Sequence, residues 1–141
     1  MTAQDCPCKK VDYHLIDKPV REFVRELHKK NICTHSSEGG GKGHGAPEFA
    51  YVETYLTKEN LQHVKRSGFL LDKVHDQEKR PLFLGSGLKY GAKTSFFLIG
   101  LKRDNLSDKQ IETKLCSLLP LLKKQRLHKN WKKLITSCSS S

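Results

Sequence analysis

The sequence predicts a small α+β domain with a mainly antiparallel sheet and flanking helices, and three observations carry that reading. Strand-like runs follow one another with only short turn-rich segments between them, as in "FLLDKV", "PLFLG" and "KTSFFLIGL", which suits antiparallel neighbours. Segments with helical apolar spacing stand on either side of that block. The 141 residues, 36% of them hydrophobic, suffice for one core and leave little for a second. A winged helix is the competing arrangement. In it "ENLQHVKRSGFLL" is the recognition helix entering the first wing strand, and "DKVHDQEKRPLFL" is the wing.

The first element is a helix within "LIDKPVREFVRELHKKN". Asp17 is a candidate N-cap, and Pro19 suits a first turn whose N–H groups have no helical acceptor. Val20, Phe23, Val24 and Leu27 recur at i, i+3, i+4 and i+7, one face of a helix. Lys29 and Lys30 suit the negative end of the helix dipole, and Asn31 can stop it. "ICTHSSEGGGKGHGAP" follows, and glycine at that density argues against regular structure. Residues 36–47 are therefore expected to be a flexible connector between an N-terminal helical segment, 1–35, and a basic core, 48–136. The glycines do not make a nucleotide cradle. Gly41 and Lys42 give the Gly-Lys pair, but Ser36 stands where a P-loop has glycine, and Gly43 stands where it has the magnesium-binding hydroxyl. Nor does a strand–loop–helix unit surround them, as a dinucleotide site requires.

"PEFAYVETYL" reads as a strand from its Val, Thr and Tyr content, with Ala50, Val52, Thr54 and Leu56 on one face and Phe49, Tyr51 and Tyr55 on the other. A helix starting at Pro47, aligning Phe49, Val52, Tyr55 and Leu56, is the alternative. "TKENLQHVKRSG" is a short helix capped by Thr57, with Leu61 and Val64 inward and Gly68 as a left-handed stop. "FLLDKV" and "PLFLG" are strands joined by "HDQEKR", and "KTSFFLIGL" is the strongest strand signal, with Gly85, Gly87 and Gly91 marking turns before it. Ser107 and Gln110 have capping-box spacing, with Leu106 and Ile111 as the hydrophobic staple. Ile111, Leu115, Leu118, Leu119 and Leu122 make an apolar stripe that Pro120 must kink or break. Leu127, Trp131, Leu134 and Ile135 resume helical spacing, and "SCSSS", 137–141, is a polar tail expected to be disordered.

Charge points to the class of partner. The formal net charge is +11, and residues 101–141 carry ten Lys/Arg against three Asp/Glu. A clustered excess makes a local field that attracts a polyanion, most commonly nucleic acid. The strongest candidate is "KKQRLHKNWKK", residues 123–133, read as a basic helix with Lys123, Lys124, Arg126, Lys129, Lys132 and Lys133 and no acid. Lysines make point contacts to phosphate and Arg126 can make a bidentate one. Trp131 falls in register with Leu127, Leu134 and Ile135, which favours a core anchor over a base-stacking surface. "GSGLKYGAK", residues 85–93, offers Lys89, Tyr90 and Lys93 on a glycine loop that a phosphodiester can approach, though an ordinary hairpin loop is the slightly favoured reading. Lys65 and Arg66 extend the same surface, as Lys102 and Arg103 could. The expected function is binding of nucleic acid, RNA or single strands, through backbone electrostatics. The alternative is an adaptor recognising an acidic protein, and the third is a small metal- or His-dependent nuclease. His35, His44, His63, His75 and His128 are scattered with no spacing that ties two together, so no catalytic residue is assigned.

Five cysteines, an odd number, suit a reducing compartment, and the polar start "MTAQDCPCKK" lacks the apolar run of a secretory signal. A cytoplasmic or nuclear setting follows as the expectation, with no membrane partner, since no apolar run approaches a span. Cys6, Cys8, Cys33 and His35 form a legitimate zinc ligand set by type, and zinc is the one cofactor the sequence suggests. Each pair, however, has one intervening residue where zinc knuckles use two to four. Cys116 lies on the helical stripe and reads as a small core residue.

Overall fold

The computed structural model describes residues 12–40, 48–73 and 96–126. They form three helices and a four-stranded antiparallel sheet, the α+β architecture that the sequence predicts. A turn of 3₁₀ helix, Tyr13–Leu15, leads into α1, Lys18–Lys29. Then come β1, Thr34–Glu38, and β2, Phe49–Tyr55. Helix α2, Lys58–Ser67, precedes β3, Leu70–Lys73, and β4, Phe96–Lys102. Helix α3, Asp108–Cys116, and a 3₁₀ turn over Leu119–Leu121 complete the order.

Strand order is β1-β2-β4-β3, with every neighbouring pair antiparallel. The central β2–β4 pair runs in unbroken register from Phe49↔Lys102 to Tyr55↔Phe96. Period-2 alternation sends Ala50, Val52 and Thr54 to one face, all fully buried, together with Ile99 from β4. Helices α1 and α3 pack on each other, and α1 lies on β1 and β2. Val20, Phe23, Val24 and Leu27 from α1, Ile111 and Leu115 from α3, and Val64 from α2 complete a single core with that face. Each such side chain contributes about 1.5–3 kcal/mol on burial. The dominant helix pair is α1 with α3. A four-stranded sheet covered in this way is not the helix-turn-helix arrangement of a winged helix.

The capping chemistry of the last two helices is as the sequence predicts. Thr57 Oγ1 accepts from the Asn60 N–H at 3.3 Å, and Gly68 takes φ +84° as the left-handed stop of α2. Ser107 and Gln110 form a complete capping box on α3, with bonds of 3.2 and 2.8 Å. The helix ends at Cys116, before Pro120, so the proline marks a break. Asn31 stops the first helical segment with φ +57°. Asp17 is different. It stands at the N-cap of α1 but makes no side-chain cap bond, and its carboxylate accepts from the Gly39 N–H at 2.9 Å instead.

One expectation is overturned. Residues 34–38 lie in the stretch expected to be irregular, yet they form edge strand β1. A register shift between Thr34 and Ser37 inserts an extra residue, so both side chains face the core and both are fully buried. The glycines that argued against structure lie just after the strand. Gly40 sits at φ +73°, and a Cβ on Gly39 would meet Pro19 Cγ at 2.7 Å. These two glycines are buried turn positions against α1 and β2. Residues 41–47, 74–95 and 127–141, with the expected strand "PLFLG", lie outside the described residues.

Candidate nucleic-acid interface

The described part of the basic tract, residues 123–126, is not helical, which corrects the expectation of a basic helix over these residues. The reason is a buried polar clasp. Gln125, only 2% exposed, donates its backbone N–H to Lys30 O at 2.7 Å, at the C-terminal end of α1. Its Nε2 donates to Tyr55 O at 2.9 Å and to Asn31 O at 3.4 Å. Its Oε1 accepts from the Thr57 N–H at 2.8 Å and from Asn60 Nδ2 at 3.0 Å.

Asn60, fully buried in the first turn of α2, grips the neighbouring residue from both sides. Its Oδ1 accepts from the Lys123 N–H at 2.8 Å, and its Nδ2 donates to Lys123 O at 2.8 Å. The Lys123 and Gln125 N–H groups are spent on Asn60 Oδ1 and Lys30 O, so they cannot also make helical i→i−4 bonds, and the clasp and the helix are mutually exclusive over these residues.

The clasp exposes what it holds. Lys123, Lys124 and Arg126 are all exposed, while Gln125 between them is buried. Beside them α2 buries Asn60 and Val64 and presents Lys58, Glu59, Gln62, Lys65 and Arg66 to solvent. Lys65 lies five residues from Asn60, about 7.5 Å along the helix axis. Among the described residues, no carboxylate forms an ion pair with Lys58, Lys65, Arg66, Lys123, Lys124 or Arg126. Other cations are committed. Lys102 pairs with Asp104 at 3.8 Å. Arg103, with its side chain 17% exposed, bridges Gly39 O at 2.7 Å and Asp108 Oδ1 at 2.5 Å. Arg103 therefore braces the β1–β2 connection against the start of α3 and leaves the candidate surface.

The remaining candidates divide by position. Lys89, Tyr90, Lys93, Lys129, Lys132 and Lys133 lie outside the described residues, as do Cys6 and Cys8. His35 is placed in β1. Cys33, fully buried, is disulfide-bonded, and while that bond lasts its sulfur is not a thiolate ligand. Cys116 carries a free thiol whose pKa is pushed up to about 11 by burial and then by Glu112, Glu22 and Glu26. It stays protonated at neutral pH, so it is neither nucleophile nor ready metal ligand. Among the described residues no three His, Cys, Asp or Glu side chains converge as a metal group.

Of the described histidines, His28 holds the fold together. His28 is fully buried on α1, with Nδ1 2.8 Å from Tyr13 Oη and Nε2 2.8 Å from Thr34 Oγ1. His63 Nε2 lies 3.9 Å from Glu59 Oε1, on the flank of α2. Burial pushes the Tyr13 phenol above its ordinary value, partly offset by the Arg25 guanidinium, which stacks 5.1 Å from the ring centroid. Sequence reasoning missed Gln125, Asn60 and His28 as anchors. A single buried amide inside "KKQR" has no periodic signature, because the amide is defined by partners 65 to 94 residues away. No helix among the described residues is long and apolar enough to cross a membrane. Comparison with protein-family models, with curated proteins and with solved structures gives no match.

Proposed function

We propose that this domain binds nucleic acid, RNA or single strands, through phosphate contacts from the tract that begins at Lys123. The observation that carries the reading is the clasp. A buried glutamine and a buried asparagine spend six hydrogen bonds fixing a four-residue stretch whose other side chains are three exposed cations with no carboxylate partner among the described residues. A merely solvated basic tail needs no such anchorage. The backbone that carries these cations is already held, so only their side chains lose freedom when a phosphate arrives, and α2 adds the exposed Lys58, Lys65 and Arg66. Lys129, Lys132 and Lys133 would continue the surface, and Lys89, Tyr90 and Lys93 would join it if their loop lies on this side. A cytoplasmic or nuclear site of action, or zinc held by Cys6, Cys8, Cys33 and His35, requires Cys33 in its reduced state.

Titration of a fluorescent single-stranded RNA at several salt concentrations tests the proposal. Affinity is expected to fall steeply with salt, by about 0.7 in log–log slope for each phosphate neutralised on a single strand. Lys123→Glu with Lys124→Glu and Arg126→Glu should flatten that slope by about 2, equally for unrelated sequences. No binding at low salt, or an unchanged slope, overturns the reading. Recovery of an acidic protein that survives nuclease treatment identifies the adaptor in its place.

A further inference from the structure

By sequence Lys30 does no more than suit the negative end of a helix dipole, but the fold carries it to the clasp. Its carbonyl accepts the Gln125 N–H at 2.7 Å, so two residues far apart in the chain are backbone neighbours. Residues joined by such a bond have Cα atoms about 5 Å apart, and the next residue along adds at most about 3.8 Å. Lys30 therefore stands within about 9 Å of the backbone of Lys124 and Arg126, the exposed cations on either side of Gln125. That is close to one Debye length at physiological salt. Gln125 is also bound to α2. Its Oε1 accepts from the Thr57 N–H at 2.8 Å, and the exposed Lys58 follows Thr57. The end of α1, residues 123–126 and the first turn of α2 thus meet at one buried amide, and each brings a cation.

The Lys30 charge is open to solvent. The residue is half-buried, and among the described residues no carboxylate pairs with its ammonium. An ammonium without a partner is too costly to bury, so the stem lies on the fold and the head projects. The acid one turn before it, Glu26, pairs with Lys29 at 3.3 Å instead. Carbonyls at this end of α1 are spent as well. Leu27 O accepts from the Lys30 and Ile32 N–H groups, His28 O from the Asn31 N–H, and Lys30 O from Gln125. A phosphate arriving here meets a lysine in place of unsatisfied carbonyls at the negative pole of the helix.

We propose that the phosphate-binding surface includes Lys30, and that a nucleic-acid strand lies across residues 123–126 from the end of α1 to the first turn of α2. This deepens the nucleic-acid reading and rests on it. The test compares lysines of equal charge at different places. Lys18, exposed at the start of α1, stands about 18 Å along the helix axis from residue 30. In a salt titration of the full chain with single-stranded RNA, Lys30→Gln should flatten the log–log slope by about 0.7, one phosphate contact. Lys18→Gln should leave the slope unchanged, and Lys30→Arg should keep the wild-type value. Lys58→Gln should act like Lys30→Gln, and the double variant should flatten the slope by about 1.4, because a strand lying across both loses two separate contacts. The urea midpoint of Lys30→Gln should match the wild type, since its bond to Gln125 uses the backbone carbonyl and survives. Equal slopes in Lys30→Gln and Lys18→Gln overturn the inference, as does a double variant that loses no more than one single variant. If joint replacement of Lys123, Lys124 and Arg126 by Glu flattens the slope and Lys30→Gln does not, the nucleic-acid reading stands and the extension to Lys30 falls. Absence of RNA binding by the wild-type chain removes both.

Discussion

Gln125 makes four side-chain hydrogen bonds and one from its backbone N–H, which is the whole capacity of its amide oxygen and both amide protons. Removing that side chain takes from the half-buried Thr57 N–H and from the buried Asn60 amide the bonds they make to Gln125 Oε1. Each such loss costs about 1–3 kcal/mol, so Gln125→Ala should destabilise the domain by about 2–4 kcal/mol in urea unfolding. Asn60→Ala should cost a similar amount. The two share one network through Asn60 Nδ2 and Gln125 Oε1, so the double variant should lose less than the sum, and strict additivity would contradict the clasp. Nothing in the sequence announces this pair. By contrast Val20, Phe23, Val24 and Leu27 were legible because apolar burial repeats with the helix period, while a polar anchor is defined by distant partners.

Elements are legible in the sequence where local chemistry decides them and not where tertiary contact does. The Thr57 cap, the Gly68 stop, the Ser107–Gln110 box and the alternation of β2 all follow from neighbours in sequence. Strand β1 does not, because "THSSE" has no β-branched or aromatic run and gains its state from pairing with β2. The glycines after it show the same contrast. Gly40 and Gly68 both hold positive φ, but a Cβ at Gly40 would strike the Phe49 carbonyl, whereas at Gly68 it meets open space. Gly68→Ala should therefore cost about 1 kcal/mol, the left-handed strain alone. Gly40→Ala should cost more than about 3 kcal/mol, since strain and collision add. Equal thermal-unfolding losses in the two variants would refute this reading of the β1–β2 connection.

Across the whole molecule, the basic excess was legible as charge but its geometry was not, because the clasp and not the sequence period sets the path of 123–126. The thiols offer a test at the same scale. Of five cysteines, the Cys33 bond consumes two, so unreduced denatured protein should titrate at most three thiols. In the native protein, Cys116 alkylation should rise toward a midpoint near pH 11 and not near 9.0. The sign follows from linkage. A raised folded-state value favours the protonated thiol, so its contribution to stability is present below pH 9 and fades as pH climbs through about 11. Five titratable thiols would mean a reduced Cys33 and would favour an intracellular setting; three favour an oxidising one. The clasp also bears on how the chain reaches its native state. Gln125 bonds to Asn31, 94 positions earlier, and to Thr57. The start of α2 and the end of α1 therefore keep open backbone groups until nearly the whole domain has been synthesised. Closure of this contact should come late, behind the local β2–α2 and α3 caps, and a nascent chain stopped before residue 125 should remain open to exchange at Thr57 even after its sheet has formed.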